Sequence, residues 1–282
     1  MSPESSTDFA NATPYTGLIR TDRTTSSRVR LAFLRGIVWS LIGMIYAPLF
    51  TGLLKLMQGA GIGPFSYILA AGLAGGAGAV LYGARELAIM STGIGAAAGV
   101  AILILWPGEA TLTNTVVVAS VLAATVGLTV SFPRRCSRHV PGKLLAGVMT
   151  GAFGGTVLAI AEPLHPAPFS IFAVLAFLVS VNGILYVASV SWWVDLSRRL
   201  RLESRPCYLI ESAIMAILAS VAAGSVWMVS APLLSVDQGA AWQLASFSMH
   251  REIQLAILGG LIGGGTAGIL LEFFGFSWVH DI

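Results

Sequence analysis

The chain has 282 residues, of which 56% are hydrophobic and only 10% are charged, and its net charge is +3. A soluble globular domain is about a quarter charged, so this composition excludes an ordinary water-facing surface and predicts lipid as the main solvent. The basic excess does not indicate nucleic-acid binding, because nearly all the arginines and lysines flank apolar runs, where they set membrane orientation.

Residues 1–30 are rich in serine and threonine and poor in apolar side chains, which predicts a disordered cytoplasmic tail. Residues 31–282 form the predicted membrane domain. A helix needs about 20 apolar residues to cross a hydrocarbon core about 30 Å thick, and lipid requires every backbone polar group to be paired internally. The chain therefore predicts an all-α polytopic membrane protein of about eight transmembrane helices in one glycine-rich bundle, with approximate bounds 31–56, 64–84, 87–106, 114–132, 144–161, 168–193, 207–230 and 253–275.

Two connections qualify this reading. Only a short turn separates the second and third runs, so a re-entrant pair is the alternative to two full crossings. The longest outer connection, 231–252, contains Trp242, Leu244 and Phe247. These side chains predict a short helix that lies on the membrane surface.

The basic residues predict the orientation of the bundle, because arginine and lysine are retained in cytoplasmic loops. With the N-terminus inside and eight alternating helices, every arginine and lysine except Lys55 and Arg251 falls on the cytoplasmic side. Both termini are therefore expected in the cytoplasm, with the basic loops against anionic lipid. Tryptophans near the predicted helix ends, such as Trp192 and Trp227, predict an interfacial aromatic belt. The short polar tails and the lack of a soluble domain suggest a bacterial inner membrane.

Glycines, 32 in all, recur at four-residue spacing on several predicted helices. Residues four apart share a helix face, so each set makes a surface without side chains that another helix can approach almost to backbone contact. Static packing within the chain or between copies is one interpretation, and sliding faces in a transporter are the other. The last helix is expected at the bundle centre or at an oligomer seam, and a homo-oligomer or a membrane partner subunit is a possible partner. The packing sets are Gly72 and Gly76, Gly95 and Gly99, Gly147, Gly151 and Gly155, and Gly260, Gly264 and Gly268.

Four polar residues within the apolar runs are candidates for transport or proton transfer: Glu86, Asn182, Glu211 and Glu272. Glu86 and Glu211 begin helices, where the helix dipole stabilises a carboxylate by about 0.3–1 kcal/mol. Glu272 lies near a helix C-terminus, where the dipole is unfavourable, so it is the strongest candidate. Its expected partner is Arg85, an arginine from 198–205, or a proton.

These residues support one functional hypothesis and several structural alternatives. Glu86, Glu211 and Glu272 are predicted to line a cytoplasmic vestibule for a cation or a proton. The structural alternative for Glu272 is an ion pair or an interfacial position. Asn182 is expected either to hydrogen-bond another helix or to contact a substrate.

No catalytic or cofactor motif is present in the sequence. Cys136 and Cys207 form no CxxC pattern, no histidine has a second histidine at ligand spacing, and no nucleophile elbow or nucleotide-binding lysine motif occurs. We therefore expect no cofactor and no metal. A permease for a small solute or ion is the first interpretation, a non-catalytic structural or assembly subunit is the alternative, and a membrane-embedded enzyme is third.

Overall fold

The computed structural model describes residues 25–83, 85–105, 112–131, 140–161, 170–202, 208–230 and 240–276. Every secondary-structure element within these ranges is helical, which confirms the all-α prediction for the described chain. The remainder of the predicted tail, 1–24, and both cysteines lie outside these ranges. The elements are α1 (Thr25–Gly59), α2 (Phe65–Gly83), α3 (Arg85–Leu105), α4 (Leu112–Ser131), α5 (Val140–Ala161), α6 (Ser170–Arg199), α7 (Tyr208–Ser230) and α8 (Ala240–Phe273).

Six of these helices are long and apolar enough to cross a membrane, and α4 contributes a shorter apolar stretch, Asn114–Leu128. Large apolar side chains such as Phe33, Ile104 and Phe153 are exposed on the outside of the bundle, as expected for lipid contact. The chain is therefore a polytopic helical membrane protein, while a full crossing by α3 and α4 stays a prediction. The six long apolar segments are Ser27–Gly59, Phe65–Tyr82, Val140–Ile160, Phe172–Arg199, Leu209–Trp227 and Glu252–Phe273.

Two helices extend beyond their predicted bounds at the basic ends. Helix α1 begins at Thr25, so the end of the predicted tail is helical, because it contains arginines, which are good helix formers, and no proline or glycine. Helix α6 continues to Arg199 and carries an Asp195–Arg198 ion pair of 3.2 Å over its last turns. Helix α1 also continues through Pro48, since a transmembrane helix tolerates the lost backbone donor when its neighbours pack around it.

The predicted surface helix in the last outer connection is wrong as a separate element. Trp242, Leu244 and Phe247 belong to the first turns of α8, which runs without a break from Ala240 to Phe273. No proline interrupts this segment, so nothing ends the helix between the two parts. Its 34 residues span about 50 Å, which exceeds the hydrocarbon thickness and requires either tilt or a projecting end.

Five helices form a ring, and three form a cluster beside it. In the ring, α1 packs on α8 and α2, α5 packs on α2 and α6, and α6 packs on α8. Helices α3, α4 and α7 pack together and join the ring through α7, which contacts α1 and α2. Helix α8 is thus a wall of the ring rather than its centre, with Leu258, Ile262 and Ile269 exposed on its outer face.

The glycine face of α8 lies directly against α1. A Cβ added at Gly260 would collide with the backbone of Gly43, and one at Gly264 would collide with the Trp39 carbonyl. At Gly268 it would lie 2.5 Å from the Arg35 carbonyl oxygen. Because real Cβ atoms do not approach this closely, the two backbones can be neighbours only where α8 lacks side chains.

The glycine face of α5 makes a second contact of the same kind with α2. Gly147 meets the backbone of Gly75, and Gly151 meets the backbone of Ala71. At Gly155 an added Cβ would collide with the Tyr67 carbonyl.

On α2 the glycine closest to the α5 backbone is Gly75, which is not one of the predicted pair Gly72 and Gly76. Gly75 faces the α5 backbone, whereas a Cβ at Gly72 would lie 3.4 Å from the Val148 carbonyl oxygen. A Cβ at Gly76 would meet the Val148 side chain at 2.9 Å. Gly72 and Gly76 therefore lie to one side of the contact. Their offsets of three residues and one residue from Gly75 turn them by about 60° and about 100° in the same direction around the helix.

Trp227 lies inside the three-helix cluster and not in an interfacial belt. It is 2% exposed, its indole fills the space beside Gly99, and its Nε1 donates a hydrogen bond of 3.1 Å to the Ala96 carbonyl. The other glycine of α3, Gly95, approaches the α4 backbone near Ala119. The prediction for Trp227 was wrong because an indole N–H can be satisfied by a helix carbonyl as well as by the wet membrane surface.

The order of these contacts gives the helix directions. Helices α1 and α8 are antiparallel, as are α2 and α5, and α5 and α6. Helices α6 and α8 are parallel. This is the pattern of helices that alternate in direction along the chain. The starts of α1 and α5 and the ends of α2, α6 and α8 therefore lie together, and we call this the Arg35 end. That the Arg35 end faces the cytoplasm is a prediction from the charge pattern.

Candidate functional site

A cavity lies inside the helix ring between α1, α2, α5 and α6. Its volume is about 40 Å³, which is room for about three waters at most. Glycines line the α2 and α5 walls, where Gly75, Gly78 and Gly147 supply no side chain to fill the space. The polar side chains that line it come from all four helices: Trp39, Tyr46, Tyr82, Thr150, Asn182 and Tyr186.

Asn182 is the polar centre of the α6 wall and is 6% exposed. Its Nδ2 donates a hydrogen bond of 2.7 Å to the Tyr46 hydroxyl on α1. The amide packs against Gly154 of α5, where an added Cβ would collide with Oδ1 and lie 2.9 Å from Nδ2. One amide therefore links three helices of the ring, and only glycine at position 154 leaves room for it.

Three aromatic rings close the cavity towards the Arg35 end. Trp39 and Tyr82 have ring centroids 5.2 Å apart, and Tyr82 meets Tyr186 edge to face at 6.3 Å. Trp39 also reaches across to α6, since a Cβ at Gly183 would lie 2.8 Å from its ring. These rings join α1, α2 and α6 in one aromatic cluster, with centroid separations in the favourable range for such pairs.

Three buried polar atoms of the lining side chains have no hydrogen-bond partner within the described chain. They are Trp39 Nε1, Asn182 Oδ1 and Tyr186 Oη. A buried polar atom without a partner costs about 1–3 kcal/mol, and buried polar groups are normally satisfied. A cluster of such atoms around one cavity is typical of a place where a polar molecule completes the hydrogen bonds.

A buried ion pair lies one helical turn from the aromatic cluster, at the Arg35 end. Arg35 Nη1 lies 3.4 Å from Glu272 Oε2, and the two side chains are 0% and 9% exposed. Arg35 Nη1 also donates a hydrogen bond of 2.6 Å to the Phe276 carbonyl. The surrounding protein shields both side chains from solvent, so their attraction offsets part of the cost of burying two charges.

The turn after α8 presents the Phe276 carbonyl to Arg35. Gly275 has a φ of +74°, and the Phe276 N–H bonds to the Leu271 carbonyl at 3.0 Å. The Gly275 N–H bonds to the Glu272 carbonyl at 3.1 Å, which completes a Schellman cap. Glycine at position 275 is needed because other residues rarely adopt this left-handed conformation.

The described ion partner of Glu272 is Arg35 on α1, an arginine of the predicted cytoplasmic side that was not among the named examples. The Arg85 side chain lies outside what the structure describes. Arg35 lies inside the apolar run 31–56 and was counted only as one of the cytoplasmic basic residues. Its position within an apolar run was a usable signal for a buried cation.

Of the candidate residues whose side chains the structure describes, only one lines the cavity. Asn182 lines the cavity, whereas Glu211 and Glu272 are not among its described lining residues. Glu211 lies half-buried in the first turn of α7, as predicted from its position. Glu86 is the second residue of α3, and its side chain lies outside what the structure describes. A vestibule formed by the three glutamates stays a prediction.

Sequence reasoning missed most of the residues around the cavity. Tyr46 and Tyr186 lie deep inside apolar runs, where a phenol hydroxyl has no water to bond, and this depth was a usable signal. The small residues of the walls carried no signal of a cavity, because the same glycines also pack helices. Within the described ranges, no group of three or more His, Cys, Asp or Glu side chains is placed to hold a metal ion.

Comparison with known proteins adds no functional information. No protein-family model, no curated protein and no solved structure matches the chain. The geometry of the helix ring is therefore the basis for proposing a function.

Proposed function

We propose that this chain is a permease-like membrane protein that passes a small solute or ion through the cavity between α1, α2, α5 and α6. The observation that carries the proposal is the set of three buried polar atoms without partners, contributed by side chains that line this cavity. A purely structural bundle would gain stability by replacing such groups with apolar ones.

The packing of the ring supports the same proposal. The α1–α8 and α2–α5 pairs are held at near backbone contact by their glycine faces, so each pair is a compact unit. Between the two units lie the cavity and the aromatic cluster rather than a glycine seam. Ligand sites in membrane transporters often lie between such units, near the middle of the membrane.

Purified protein in liposomes tests this proposal. Flux of potassium, protons, formate, guanidinium, urea and formamide is compared between protein-containing and empty vesicles. Asn182→Leu removes the polar centre of the α6 wall, and Thr266→Val is the matched control on α8, because its hydroxyl bonds only its own helix, at the Ile262 carbonyl, and does not line the cavity.

We expect protein-dependent flux of at least one of these solutes that Asn182→Leu lowers and Thr266→Val does not. Wild-type protein that is folded and monodisperse but passes none of them faster than empty vesicles would contradict the proposal. That outcome would favour the structural or assembly subunit.

A further inference from the structure

We infer that the cavity selects a small neutral solute with both hydrogen-bond donors and acceptors, such as a urea-like or amide-like molecule; this inference rests on the proposed permease function. The first reason is that the described lining residues include no Asp, Glu, Lys, Arg or His. A charge brought into such surroundings loses its hydration, which costs several kcal/mol unless a counter-charge replaces it.

The described charges close to the cavity are engaged elsewhere. Lys143, buried on α5 one turn from the lining residue Gly147, has an interaction of its own. Arg35 and Glu272 form their own ion pair, and the Phe276 carbonyl takes a further Arg35 hydrogen bond. Trp39 lies one helical turn along α1 from Arg35 and stacks on Tyr82, so this aromatic pair stands between the ion pair and the cavity. The ion pair therefore offers no counter-charge to a solute in the cavity.

Most of the exposed cavity wall is apolar, and the polar side chains around it supply both acceptors and donors, which suits a molecule that both donates and accepts. Asn182 uses one of its two amide N–H groups on Tyr46. Its Oδ1 is an acceptor, whereas Trp39 Nε1 is a donor. The Tyr186 hydroxyl can do either, and it lies one turn from Asn182 on the same face of α6. Thr150 donates its proton to the Ala146 carbonyl at 2.8 Å, which leaves its oxygen as an acceptor.

The size of the cavity limits the solute to a few heavy atoms. Room for about three waters corresponds to a molecule of about three or four non-hydrogen atoms. Urea and formamide have this size and carry both N–H donors and a carbonyl acceptor. Guanidinium and formate match them closely in shape but carry a charge, so each pair isolates the effect of charge from that of size.

The test measures the flux of urea, guanidinium, formamide and formate into liposomes that contain the purified chain. We expect protein-dependent flux of urea or formamide, with guanidinium and formate at the level of empty vesicles. Tyr186→Phe is the main variant, because its hydroxyl has no partner within the described chain and its removal should leave the fold intact. It should lower the neutral flux about five- to tenfold, the effect of one lost hydrogen bond.

Two further variants keep the outcome clear. Gly154→Ala should displace the Asn182 amide and lower the same flux, whereas Gly52→Ala, which meets nothing within 4 Å, should not. Flux of guanidinium, formate, potassium or protons that depends on Tyr186 or Asn182 would refute the selectivity for neutral solutes but would support the permease function. Neutral flux that Tyr186→Phe does not change would overturn the assigned contact. If no solute shows protein-dependent flux, the proposed permease function itself is refuted.

Discussion

Gly264 is a position at which a single methyl group should disrupt the helix ring, because an added Cβ would meet the α1 backbone. In Gly264→Ala the new Cβ would collide with the Trp39 carbonyl oxygen, and it would lie 2.7 Å from the Trp39 carbonyl carbon and 3.1 Å from Ser40 Cα. Carbon atoms in good contact are about 3.5–4.0 Å apart, so α1 and α8 must separate by about 1 Å at this level. All three neighbours are backbone atoms, which no rotamer change can move.

The expected loss of stability follows from this displacement. Overpacking of a close contact costs about 1–3 kcal/mol, and alanine returns up to about 1 kcal/mol of helix propensity. We therefore expect Gly264→Ala to lower the free energy of unfolding by about 1–2 kcal/mol. The matched control is Gly52→Ala on α1, where the added Cβ meets nothing within 4 Å and only the propensity gain remains.

Unfolding in mixed micelles, followed by tryptophan fluorescence as the fraction of denaturing detergent rises, measures both variants. Gly264→Ala should unfold earlier than wild type, and Gly52→Ala at the same point or later. Equal midpoints for the two variants would refute the close α1–α8 contact, and with it the ring that surrounds the cavity.

Three further predictions follow from the contacts. Arg35→Leu or Glu272→Leu should each destabilise the protein by about 3–5 kcal/mol because each removes the ion-pair partner of a buried charge, whereas the double variant should recover most of that loss; additive losses in the same unfolding assay would exclude the pair. Tyr46→Phe should cost about 0.6–2 kcal/mol, since it removes the hydroxyl that Asn182 bonds; an unchanged midpoint would mean that this bond does not form. In a cysteine-free background, Gln58→Cys should react with a membrane-impermeant maleimide on intact cells and Arg199→Cys should not; the reverse pattern would invert the predicted topology.

Part of the site could be read from the sequence. Asn182 was identified from its depth in an apolar run, and Glu272 from its unfavourable place in a helix dipole, because both arguments use only neighbours along the chain. The partners of these residues could not be read in this way. Arg35 lies 237 positions from Glu272, and Tyr46 lies 136 positions from Asn182.

The amino-acid sequence by itself determined that lipid surrounds most of this protein and that the chain is helical. Hydrophobic content, run length and four-residue glycine spacing are local properties, and they predict lipid contact, helical structure and faces for close packing. Only the tertiary structure decided that α1 pairs with α8 and α2 with α5, and that four helices line a cavity with polar side chains among its walls. The physical reason is that many helix pairs offer small-residue faces of similar quality, so the choice among them depends on side-chain fit summed over segments far apart in the chain.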